Sequence, residues 1–249
     1  MASSLTRWFP LLSLLALVAL WQAGASLLDS RALPPPLAVL EIIVAGLADG
    51  SIAYHVGVTL ARVAVSFAIA MLVGIAIGIA MGRSKGLDRF FDSWLVLFLN
   101  IPALVTIILC YVWFGLIEAA AILAVAVNKV PNVAVTLREG ARALDRDLLE
   151  MAESFRLGRG RSLRHVVLPQ LYPFVMAAAR SGLALIWKIV LVVELLGRSD
   201  GVGFQLYVFF QLFDVAQIFA YALAFIAVVQ AIELGLLQPL ERWANRWRR

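Results

Sequence analysis

The chain is poor in the residues that build most soluble active sites. One cysteine, Cys110, and two histidines, His55 and His165, are all that 249 residues supply. A single thiol inside an apolar run excludes a disulfide framework and a cysteine metal site. The two imidazoles lie far apart in sequence, so no cluster of metal ligands or nucleophile with its base is in view. Charge is scarce too, at 15% of residues against roughly 25% in a soluble domain, too little to coat a globule in water. No Gly-x-x-x-x-Gly-Lys-Ser/Thr phosphate loop occurs. Gly82-Arg83-Ser84-Lys85-Gly86 has some of its letters in the wrong order. Internal repeats and low-complexity segments are missing as well.

What the chain does have is apolar length: 63% hydrophobic residues and a mean hydropathy of +0.92. A run of about 20 apolar residues must satisfy its own backbone hydrogen bonds in hydrocarbon, and so reads as a helix. Six such runs are visible, near 9–28, 56–81, 91–114, 117–137, 172–196 and 215–237. The expected fold class is an all-α membrane protein, a bundle of about six transmembrane helices in one domain spanning 1–249. Residues 1–32 carry an N-terminal span. That first run, with Arg7 before it and Ala23-Gly24-Ala25 near its end, could instead be a signal peptide. Its length and the spans that follow favour a crossing. Leu33-Pro34-Pro35-Pro36 reads as a stiff linker, and Asn128, Lys129, Pro131 and Asn132 as the end of the fourth helix.

The net charge of +5 is an arginine excess, and its placement decides its meaning. With the N-terminus in the cytoplasm and six alternating spans, the inner segments hold Arg7; Arg83, Lys85 and Arg89; seven arginines between Arg138 and Arg164; and Arg242, Arg246, Arg248 and Arg249. The outer segments hold only Arg31 and Arg198. Lys- and Arg-rich loops stay cytoplasmic, so both termini are expected inside. The same distribution argues against nucleic acid and for a lipid membrane as the partner of the charge.

The longest inner connection, about 138–167, is the most informative. Within it Leu148, Met151, Ala152 and Phe155 recur at helical spacing and predict a short amphipathic helix. One reading is a helix lying on the membrane surface. The segment also has a second reading, because Glu150-Met151-Ala152, followed by Val166-Val167-Leu168-Pro169, resembles the Glu-Ala-Ala signature of binding-protein-dependent ABC transporter permeases. It is similar to the inner-membrane subunits of the nitrate, sulfonate and taurine type. Other matching segments are Thr59-Leu60-Ala61-Arg62, Ile101-Pro102, Trp113-Phe114-Gly115-Leu116, Trp187 through Gly197, and Gly201-Val202-Gly203. In that family the loop forms a coupling helix that docks on a separate ATPase.

The resemblance therefore implies a permease core over 56–237 with a cytoplasmic coupling loop at 145–165. Glu150, Met151, Ala152, Arg156, Gly158, Leu168 and Pro169 are the coupling residues it implies. It also implies a partner ATPase that binds ATP and Mg, a second permease copy as a homodimer, and a periplasmic solute-binding protein. The chain itself would bind no cofactor, hold no metal and catalyse nothing. The location would be the bacterial inner membrane. Two departures stand out. Arg156 occupies the place where the family usually has glycine, so the turn is expected to shift onto Gly158. Ala103 and Ile108 stand where relatives often carry proline, so the third span is expected to be less broken.

Four ionised or polar groups inside apolar runs, Arg62, Trp187, Lys188 and Glu194, are candidates for the translocation path, since intramembrane charge is expensive without a role. For Arg62 the alternative is an ion pair that only fixes packing, with Glu194 within reach. Gly74, Gly78 and Ala70, with Gly82 beyond, form a small-residue ladder for close helix approach. The aromatic segment 204–210 reads as an interfacial helix or an aromatic belt. An ion-coupled transporter or channel and a membrane enzyme are the competing classes; neither accounts for the long basic loop. The substrate implied is a small organic or inorganic anion, such as a sulfonate, taurine, nitrate or an aromatic acid.

Overall fold

The computed structural model describes residues 2–28, 30 and 32–239, and within them the side chains of all but 2–7, 10, 11, 159, 236 and 237. Arg31, Arg242, Arg246, Arg248 and Arg249, on which part of the topology argument falls, lie outside the described residues, as do the side chains of Arg7 and Arg159. Every regular element among the described residues is helical.

The first helix, α1 (Ala2–Leu28), is followed by a helix the hydropathy pattern does not reveal, α2 (Pro36–Ala48). At 13 residues α2 is too short to cross a membrane. The expected linker therefore ends at Pro35, which is extended (φ −67°, ψ 148°). Pro36 then opens the helix, where its missing N–H leaves no bond unmade. Gly50, at φ +81°, turns the chain into α3 (Ser51–Arg83), which begins before the expected span.

The third span departs most from expectation. It is two helices, α4 (Lys85–Asn100) and α5 (Ala103–Phe114), meeting at 96°. The expectation of a less broken helix is overturned. Pro102 has no N–H to donate and pushes Ile101 into extended backbone (φ −72°, ψ 123°). One proline suffices for the break, whatever stands at 103 and 108.

Beyond it α6 (Glu118–Arg142) runs without interruption through Pro131, so the expectation that 128–132 ends the helix is also overturned. A membrane helix tolerates an internal proline where neighbours pack the freed turn, and Pro131 is buried. The basic connection contains α7 (Arg146–Ser154) and a single turn, α8 (Arg159–Ser162). A π-turn, Leu163–Val167, then leads into α9 (Leu168–Gly197). Pro169 cannot donate to the preceding turn, and the wider turn before it relieves that crowding. Two helices follow, α10 (Val202–Gln211) and α11 (Val215–Ile232), the second running on into a π-turn, Glu233–Leu237.

Among the described residues four helices are long and apolar enough to cross a membrane, five if α4 and α5 form one bent span. In α1 the side chains described without a break begin at Leu12, and Leu12–Leu28 is counted only as a shorter apolar helix. Trp21 of α1 nevertheless donates to the Pro34 carbonyl at 2.9 Å and stacks on Phe219 of α11.

The centre is a three-helix packing of α3, α6 and α9. The ladder Gly74, Gly78 and Gly82 lies against α6. A Cβ on Gly78 would sit 2.5 Å from the Ala134 carbonyl oxygen, and one on Gly74 would sit 2.6 Å from Val133 Cβ. The ladder thus serves packing within the chain. Arg62 of α3 meets Glu118 of α6 at one end, and Gly82 meets Ala141 at the other, so these two helices run parallel. Helix α9 runs against both. At the basic end Arg138 pairs with Asp92 at 2.5 Å and Arg142 with Asp88, fastening α4 to α6.

Candidate functional site

The intramembrane charges separate into a closed cluster and an open face. The closed cluster centres on Arg62. Its guanidinium takes Glu118 in a two-pronged grip, Nε to Oε1 at 2.6 Å and Nη2 to Oε2 at 2.9 Å. Nη1 donates to Glu194 Oε1 at 2.8 Å and to the Asp200 carbonyl at 2.9 Å, and Nη2 pairs with the Asp200 carboxylate. The second Glu194 oxygen accepts from Thr59 Oγ1 at 2.9 Å and from the Gly203 N–H at 2.8 Å. Thr59 in turn accepts from Val202 N–H at 2.9 Å.

Arg62 is 4% exposed and Glu194 0%. Both are fully committed to partners, and two charges satisfied in this way hold helices in register. Around them, Arg198 pairs with Glu118 at 2.9 Å, and the Gly201 N–H donates to His55 Nδ1 at 3.1 Å. Gly201, at φ +99°, is required because a Cβ there would overlap the Glu194 carboxyl. The cluster ties α3, α6, α9 and the turn into α10 at one end of the bundle.

Lys188 and Trp187 are sequence neighbours with opposite fates. Trp187 is buried, edge-on to Phe225 of α11 with centroids 6.0 Å apart. Lys188 is exposed and pairs with no carboxylate among the described residues. It lies nine residues before the end of α9, about 14 Å into the span at ~1.5 Å per residue. Gly182 and Ala178 turn toward α3 and α6, the first beside Lys129 and Phe67, the second among Met71, Val133 and Leu137. Ser181, Ala184 and Lys188 lie on the exposed flank of that face.

On α6, Val133 and Leu137 pack inward, whereas Asn132 is exposed and Asn128 and Thr136 are half-buried. With these three residues four apart, they share one face. Asn128, Asn132, Thr136, Ser181 and Lys188 therefore form a polar wall on the side of the α6–α9 pair away from α3.

Helix α7 starts on Asp145, whose carboxylate accepts from the Asp147 and Leu148 N–H groups at 2.9 and 3.4 Å. Ala152 is buried, so it anchors α7 to the chain. Glu150 and the apolar Leu148, Met151 and Phe155 are exposed. The exit is a Schellman turn: Arg156 N–H bonds the Glu153 carbonyl at 2.8 Å and Leu157 N–H the Ala152 carbonyl at 2.9 Å. Arg156 itself takes the left-handed conformation, φ 49°. The expected shift of the turn onto Gly158 does not occur, because the hydrogen-bond pattern fixes the positive φ at 156. Leu168 and Pro169 lie exposed at the start of α9.

Residues 70–236 match the family described as binding-protein-dependent transport system inner membrane component. The chain belongs to that family. It is 34% identical over 82% of its length to a putative aliphatic sulfonates transport permease of Escherichia coli, covering 80% of that protein. It is 31% identical over 94% of its length to a riboflavin transport system permease of Chloroflexus aurantiacus, covering 88% of it. The fold is that of a solved chain of the MetNI methionine ABC transporter, with a TM-score of 0.65, 19% identity, and coverage of 76% of this chain and 93% of that one. The protein is thus a multi-pass inner-membrane permease subunit of an ATP-driven importer and is not itself an enzyme. An ATPase and a binding protein are the partners that membership implies.

Glu118 and Asp200 complete the Arg62 cluster without having been singled out from sequence. Glu118 opens the fourth apolar run and Asp200 lies just beyond the fifth, places where a carboxylate is ordinary. The signal that could have found them was an arginine with one carboxylate in view and capacity for more. Asn128 and Asn132 were visible only as part of a helix stop, and Thr136 was not singled out.

Proposed function

We propose that the permease works as a homodimer with two ATPase subunits and imports a small anion along the polar wall of α6 and α9. The observation that carries this reading is Lys188: a lysine turned out of its own chain about halfway through a membrane cannot rest against hydrocarbon. A second copy facing the wall would enclose a wet path, and the ammonium would attract an anion. Lys188 keeps its assignment to the path. Trp187 supports it from behind, and Arg62 and Glu194 hold the helices that carry it. The sulfonate relative favours an anionic solute. The riboflavin relative favours a second reading, an uncharged heterocycle hydrogen-bonded to Asn128 and Asn132.

The basic residues at the Arg142 end set that end, with both termini, in the cytoplasm. There Glu150, Met151 and Phe155 on α7, with Arg156, Gly158, Leu168 and Pro169 beside it, form the surface on which the ATPase docks. ATP and Mg are bound by that partner. Rigid-body motion passes through α7 to α9.

The test is cysteine accessibility in a C110A background. Asn132→Cys, Ser181→Cys and Lys188→Cys are expected to react with a charged, membrane-impermeant thiosulfonate in vesicles, and Leu72→Cys, exposed on α3, to stay unlabelled. Protection of all four would overturn the path. If the wall labels and Lys188→Gln transports alkanesulfonate as well as the parent, the uncharged solute becomes the better reading.

A further inference from the structure

On the opposite side of the bundle lies a cavity of about 450 Å³ between α3, α4 and α6. Its walls are apolar throughout: Ile77 and Ala80 from α3, Phe91 and Trp94 from α4, Val130 and Ala134 from α6. It exists because α4 leaves the bundle axis to make the bend at Pro102, touching α3 and α6 through Leu95 near Met81 and Ala134 and held to α6 at its basic end by the ion pairs of Asp88 and Asp92. At ~30 Å³ for a group the size of a water molecule, the cavity has room for a large part of one hydrocarbon chain.

Two arguments decide what fills it. On α6, at 100° per residue, Val130 and Ala134 point nearly opposite Asn128 and Asn132. A second copy seated on the polar wall therefore leaves this cavity facing the membrane. The cytoplasmic end of the cavity is also ringed by cations: Arg83, Lys85 and Arg89 are exposed, and none pairs with a carboxylate among the described residues. The nearby Asp88 and Asp92 are taken by Arg142 and Arg138. The N-terminus of α4 adds its positive dipole end at the same level.

We infer that the cavity is a site for one anionic phospholipid of the inner leaflet, its acyl chain between α4 and the α3–α6 seam and its phosphate on Lys85 and Arg89. An acyl chain restores the dispersion contacts that a void beside hydrocarbon forfeits. The cations supply the headgroup preference that bulk lipid packing lacks.

The test is native mass spectrometry of the full chain purified from vesicles of equimolar phosphatidylglycerol and phosphatidylethanolamine with identical acyl chains. One phosphatidylglycerol per chain is expected to survive activation that strips phosphatidylethanolamine, with a retained ratio several-fold above one. Ala80→Phe, which fills the cavity from an exposed position on α3, is expected to lose the retained lipid. Lys85→Gln with Arg89→Gln is expected to keep a lipid but bring the ratio to about one. Retention of both lipids alike by the parent chain, or undiminished retention in Ala80→Phe, would overturn the site. So would a disulfide formed between two copies carrying Trp94→Cys, since the occupant would then be a second permease. The site's exposure to lipid rests on the homodimer reading above; the lipid-retention results leave the polar wall untouched, whereas that disulfide would also count against a second copy seated on it.

Discussion

Replacing Arg62 with alanine removes one guanidinium from three carboxylates, but the three do not suffer alike. Glu118 is 46% exposed and Asp200 27% exposed, so water can take the place of the lost arginine, and Arg198 still reaches Glu118 at 2.9 Å. Glu194 is fully buried. It would keep Thr59 Oγ1 and the Gly203 N–H and lose its one ion-pair partner among the described residues. The cost is therefore that of one stranded buried charge, about 3–5 kcal/mol. At ~2–4 °C per kcal/mol for a chain of this size, the melting temperature should fall on the order of 10 °C.

Removing both charges with Arg62→Met and Glu194→Met together should recover more than half of that loss, since no ion remains buried. The assay is thermal unfolding of the purified permease in detergent, followed by intrinsic fluorescence and by survival of the monodisperse peak. An Arg62→Ala variant within about 1 kcal/mol of the parent would refute the reasoning. A double variant as unstable as the sum of the two single variants would refute it too.

Gly78→Ala puts a methyl 2.5 Å from the Ala134 carbonyl oxygen and 2.7 Å from Leu137 Cβ, so α3 and α6 must part, at about 1–3 kcal/mol. Gly57→Ala on the same helix meets nothing within 4 Å and should instead gain up to about 1 kcal/mol from helix propensity; the same melts compare the two. Arg156→Gly should slow hydrogen exchange at the Leu157 amide by relieving a left-handed residue worth ~1–2 kcal/mol, less what glycine adds to the unfolded chain. Arg156→Val should speed it, because a β-branched residue resists positive φ.

Most of the helices could be read from hydropathy, because lipid imposes one rule on every long apolar run. The interruptions could not. Pro102 and Pro131 look alike as letters, yet the first breaks its span by 96° and the second sits inside an unbroken helix. What separates them is packing: Pro131 is buried in the body of the bundle, whereas the break at Pro102 lets α5 turn onto α6 and α9, where Tyr111 donates to the Val193 carbonyl at 2.9 Å. Arg62 and Glu194 were legible as costly charges, and a pairing between them follows from their depth. Which face each presents was not legible, so a locked pair and an open lysine looked alike as candidate path residues. The exit of α7 was misjudged for a related reason. Residue preference favoured glycine at 158, but the Schellman hydrogen bonds fixed the positive φ two residues earlier.

The central claim is that this permease is driven through α7 by an ATPase it does not contain. The most direct measurement is purification of the tagged chain from native membranes, with subunit stoichiometry and ATP hydrolysis read on the product. The parent chain is expected to bring a phosphate-loop ATPase in equal amount and with measurable turnover. Met151→Arg with Phe155→Asp, both on exposed positions of α7, should reach the membrane in parental amount and lose that subunit. Recovery of the chain alone, with solute uptake that survives ATP depletion and follows an ion gradient, would contradict the account.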